Sequence, residues 1–162
     1  MPIEVYPEHA RLRSLLVQHA QRRPDMLPAS RALIGLAQLQ GERMGLDAVC
    51  VTACALAHEL GKYLVAKAPE PRRLAQCDLP GGIMVAKARE RWPDLVPAAV
   101  PAQIVALLAW CELRSMPDGK LVTLRQRQLY MERHYASDHP QIASWNALRP
   151  LAECVERGKL PV

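Results

Sequence analysis

From Ala48 to Leu60 the chain is apolar on nearly every side, and its first charged residue is Glu59. A helix with one apolar stripe lies on a surface, but one that is apolar all round has to be covered all round. This stretch therefore predicts a helix at the centre of a bundle, from about Ala48 to Lys67. Asp47 is placed to cap its start, and Pro69 and Pro71 end it.

Pro and Gly divide the rest into further helical segments. Leu12, Leu15, Leu16 and His19 follow three- and four-residue steps and predict a helix from about Glu8 to Arg22. Leu33, Leu36 and Ala37 predict a second, from about Ala29 to Met44, with Gly45 just past its end. A short helix is expected from about Gly82 to Arg91, inside an otherwise irregular region from Arg72 to Pro101. Another runs from Pro101 to about Ser115, and its Ile104 to Cys111 stretch is expected to cover the third helix. Met116-Pro117-Asp118-Gly119 is a turn signal, and Thr123 caps a helix reaching about Ala136. A last helix lies between Pro140 and Arg157, with Pro150 as a kink or break. Gly61 is expected where the third helix meets another backbone closely, because glycine inside a helix costs about 1 kcal/mol relative to alanine. No strand pattern of useful length occurs. Phe is absent and aromatics are 4% of the 162 residues, so the core is built from Leu, Ala, Val, Ile and Met. The expectation is an all-α single domain over residues 1–162, a bundle of about six to seven helices.

With 21 Lys plus Arg against 16 Asp plus Glu, the formal charge is +5. That suits phosphate groups or acidic partners. The absence of a long basic run, of a helix-turn-helix pattern and of interleaved aromatics argues against nucleic acid. Five cysteines with no CxxC pair, mostly inside apolar stretches, suit reduced core thiols and a cytoplasmic location. The first residues lack a basic segment followed by an apolar one, and the run from Leu46 to Ala57 is too short to span a bilayer, so no membrane role is expected.

The chemistry concentrates at His58 and Glu59, neighbouring polar groups in the most apolar helix. Burying them requires a metal, a phosphate-bearing ligand or hydrogen-bonding and ionic partners on other helices. Cys50, Cys54 and His58 share a helix face at steps of four, an arrangement that needs a further ligand such as Cys111 or Glu112 to hold zinc; small buried thiols explain the same pattern. His134 and His139 flank a turn and read as exposed. A phosphate can be held by Lys62 with Arg31 or Arg125.

The segment Ala53-Cys54-Ala55-Leu56-Ala57-His58-Glu59-Leu60-Gly61-Lys62 resembles the signature helix of the HD-domain superfamily of metal-dependent phosphohydrolases, in which small apolar residues precede His-Asp, an aliphatic residue, Gly or Ala, and Lys. Ala29 to Leu33 resembles the start of that family's earlier helix. Leu121 to Arg127 resembles a Val-Ser-Leu-x-x-Arg segment of some small bacterial members. The resemblance implies a helical bundle of HD type and a site in which His58, Glu59 and Glu112 hold a divalent metal (Mn, Fe, Mg or Zn), with Lys62 steadying the phosphate of an ester or nucleotide. Three positions depart from the pattern. The family's early His falls on Ala29, the Asp of the pair is Glu59, and Glu112 stands near the place of a later Asp. Each Glu adds a methylene, moving its oxygens by about 1.5 Å. Two functions follow: a divergent phosphohydrolase, or a degenerate domain without metal that binds a ligand or a protein partner.

Overall fold

The computed structural model describes residues 6–65 and 81–160. Its architecture is all-helical. Seven α-helices occur among the described residues: α1 Ala10–Arg22, α2 Leu27–Arg43, α3 Ala48–Val65, α4 Gly81–Arg91, α5 Ala102–Arg114, α6 Leu124–His134 and α7 Pro140–Glu156. The only extended pairing among them is an isolated bridge between Ser115 and Leu121, across the turn at Met116 to Gly119. Gly119 closes that turn at φ 84°. The stops expected at Pro69 and Pro71, and the fifth cysteine, Cys77, lie outside the described residues.

Local chemistry sets the helix ends. Asp47 accepts a hydrogen bond from the backbone N–H of Cys50 at 2.7 Å. Thr123 and Gln126 form a reciprocal capping box that satisfies two otherwise orphaned donors. Gly45 takes the left-handed conformation just after α2, at φ 71°. Pro150 does not break the last helix, which runs through it to Glu156.

The helix α3 sits at the centre, as its all-round apolarity demands. It is long and apolar enough to cross a membrane, and 72% of it is buried inside the bundle, which marks it as the core helix. Its closest cover differs from the expected one. It packs most extensively against α4, then α2 and α1, and touches α5 only over a short length; α5 packs chiefly against α7. The reason is visible at Gly61. A Cβ there would overlap the carbonyl oxygen of Met84 and stand 2.7 Å from its carbonyl carbon. The bare glycine lets the α4 backbone approach to direct contact. Between α5 and α7, Trp110 is buried and its indole N–H donates to Glu156 at 2.9 Å.

Candidate functional site

The contact between α3 and α5 is short, and it is polar. His58 and Glu59 on α3 and Glu112 on α5 are all buried, and their ligating atoms lie within 4.8 Å of one another. The sequence spacing of 54 residues between His58 and Glu112 is closed by a contact of 3.0 Å between His58 Nε2 and Glu112 Oε2. Lys62, one turn beyond His58, adds its ammonium. Its Nζ stands 3.0 and 3.1 Å from the two oxygens of Glu112, and 3.3 and 3.4 Å from those of Glu59. Two carboxylates this close and this buried repel unless a cation stands between them. The lysine supplies that cation.

His58, Glu59 and Glu112 form a buried group that could hold a metal ion. One imidazole and two carboxylates are a donor set that fits a divalent ion, and Glu59 Oε2, fully buried, accepts no hydrogen bond. Two features of the surroundings work against it. Lys62 already touches both carboxylates. His58 Nδ1 is buried without a partner, whereas a ligating imidazole normally donates its second N–H to an acceptor. With the proton on Nε2, donated to Glu112, the empty Nδ1 lone pair is the cheaper orphan; coordination through Nε2 would move the proton to Nδ1, where no described residue accepts it.

A cavity of about 230 Å³ opens beside this group. Ala29 and Ser30 from α2, Lys62, Glu112, and Arg127 and Tyr130 from α6 line it. Ala29, on which the resemblance to the HD-domain superfamily puts that family's early His, stands on the same cavity as Lys62 and Glu112. Arg127 is 8% exposed. Its Nη1 donates to the carbonyl of Ser115 and contacts Met116 Sδ, both uncharged, and its Nε is buried with no partner.

The other candidates are placed elsewhere. Arg31 lines a separate apolar cavity, and Arg125 is exposed and bonds Gln128, so neither joins Lys62 at the cavity beside His58. Arg127, not Arg125, stands on the cavity with Lys62. The signal for it was present: Arg127 is the Arg of the Val122-Thr123-Leu124-x-x-Arg segment, and it shares the inward face of α6 with buried Met131. The zinc arrangement through Cys50, Cys54 and His58 does not form among the described residues, where His58 turns to Glu112. Cys54 sits instead beside Cys50 with its pKa pushed up to about 12, chiefly by burial and then by that second thiol. Burial likewise raises the Cys111 thiol. His134 is exposed and stacks on Tyr130, and His139 caps α7 by accepting from the Gln141 N–H. His19 packs between Tyr63 and Trp92. Set against known protein families, characterised proteins and solved structures, the chain finds no match.

Proposed function

We propose that this chain is a divergent domain of the HD type whose cavity beside His58 binds a small phosphate-bearing molecule, with Lys62 in place of a resident metal. The observation that carries this reading is Arg127. A guanidinium nitrogen removed from water without an acceptor is costly, as Arg127 Nε is here, and Arg127 lines a cavity that also presents Lys62, beside the carboxylates of Glu112 and Asp25. A phosphate supplies the missing charge and acceptors in one group, and guanidinium–phosphate hydrogen bonds are among the strong ones. The ligand's small size follows from the cavity.

A second reading, a working metal-dependent phosphohydrolase, is favoured by the buried His58–Glu59–Glu112 group. There those three side chains would hold a divalent ion, which would supply an activated water. Lys62, 12% exposed at its side chain and lining the cavity, would then withdraw from the carboxylates toward the phosphate.

Titration calorimetry with inorganic phosphate and phenyl phosphate tests the first reading. Saturable binding is expected, weakened about tenfold or more in Arg127→Gln, since a charge-assisted hydrogen bond contributes about 1.5–3 kcal/mol. Equal binding by wild type and variant, or none by wild type, would overturn it. Elemental analysis of untagged protein purified without added metal separates the two readings: a stoichiometric transition metal would favour the hydrolase.

A further inference from the structure

A second cavity, of about 460 Å³, is walled mostly by hydrocarbon, and its polar groups are Arg13, Arg31 and Gln21. Leu16, Val17 and Ala20 of α1 face Leu27 and Ile34 of α2, and Leu56 of the core helix contributes from α3. The volume falls within the range of about 300–1,000 Å³ typical of small-molecule sites. Val17 is 53% exposed, so apolar surface remains open to solvent here.

Arg13 on α1 and Arg31 on α2 line the same cavity, which has no acidic residue in its lining. Arg13 Nη2 is shut off from water and has no hydrogen-bond partner. An arginine that merely lays its stem over apolar surface keeps its head in water. Arg13 is half-buried and Arg31 exposed, yet this one donor of Arg13 is hidden at an apolar hollow where no described group accepts it. An apolar chain fills such a hollow and an anionic head answers the arginines. Inorganic phosphate or acetate would satisfy only the head, and an alcohol only the wall.

We infer that this cavity is a binding site for an amphipathic anion, an aliphatic chain ending in a carboxylate or phosphate. It is separate from the cavity beside His58 and does not depend on that cavity's ligand. The chain lies along Leu16, Val17 and Ile34, and the head meets Arg13 and Arg31.

The probes are decanoate and decyl phosphate below their micelle concentrations, with decanol and acetate as controls, followed by calorimetry and by amide chemical shifts of the full chain. Decanoate should saturate one site and bind at least tenfold tighter than decanol, with the largest shifts at Leu16, Val17 and Ile34. Acetate should not bind measurably. The relative affinity of decyl phosphate and decanoate identifies the preferred head. In the double variant Arg13→Gln/Arg31→Gln, decanoate should lose its advantage over decanol. Val17→Asp, at an exposed position that leaves the core intact, should weaken decanoate at least tenfold. Equal binding of decanoate and decanol by wild type, shifts confined to other helices, or binding of phosphatidylglycerol vesicles without binding of monomeric decanoate would each overturn the inference.

Discussion

At Gly61 the sign of a single substitution tests the packing. Replacing a mid-helix glycine by alanine ordinarily stabilises, by about 1 kcal/mol, because alanine loses less backbone freedom. Here the added Cβ meets backbone, the Met84 carbonyl, which cannot step aside as a flexible side chain would. Gly61→Ala should therefore destabilise, by roughly 1–3 kcal/mol as overpacking does, and Gly61→Leu by more. Urea melts of the two variants check it; an alanine variant more stable than wild type would refute the close approach. The close approach was legible in the sequence as a glycine without a turn to justify it, although its partner was not. His58, Glu59 and Glu112 were legible as candidates for the same reason, polar groups in apolar surroundings. Arg127 was legible only through the Val122-Thr123-Leu124-x-x-Arg likeness, because charge alone does not tell it from Arg125 two residues earlier.

Among elements, the unexpected pairing is α3 with α4. A short helix with modest apolar content, Gly81–Arg91, covers the core helix more than the strongly apolar α5 does. Ala53, Ala57 and Gly61 repeat at steps of four on α3, and such small residues open a flat row along one helix face. Apolar periodicity locates helices, and it says little about which of them meet, because partner choice depends on the shapes of facing rows. The last helix shows the complementary limit. Pro150 signalled a kink or break, yet α7 is continuous through it. Burial of Trp145, Leu148, Ala152 and Val155 against the core holds the turn together despite the proline. The local cost persists all the same. Proline inside a helix is worse than alanine by about 3 kcal/mol, partly offset by about 1 kcal/mol from its stiffening of the unfolded chain. Because Pro150 is exposed and packs little, Pro150→Ala should raise stability by roughly 1–2 kcal/mol, read as a higher denaturant midpoint. An unchanged midpoint would mean that the helix already accommodates the ring without loss.

For the molecule as a whole, the polar group between α3 and α5 is a tie between two packed subsets of helices. On one side α3 lies among α1, α2 and α4; on the other α5 lies against α7, with α2 and, less extensively, α4 touching both. Where α3 and α5 themselves meet, His58, Glu59 and Lys62 face Glu112. Removing the lysine's charge leaves two buried carboxylates beside each other. Losing one partner of a buried ionic group costs about 3–5 kcal/mol, so Lys62→Met should lower stability by about that amount, although its length and apolar stem are kept. The carboxylates then need another cation, and the donor set of one imidazole and two carboxylates can take one from solution. Adding Mn²⁺ or Zn²⁺ to Lys62→Met should recover much of the lost stability through binding to the folded state alone, while wild type, with the ammonium in place, should respond far less. Thermal melts of both proteins with and without metal read this directly. Equal metal stabilisation of wild type and variant would show that Lys62 does not stand where a metal would bind. A variant as stable as wild type in the absence of metal would show that the carboxylates do not depend on the ammonium.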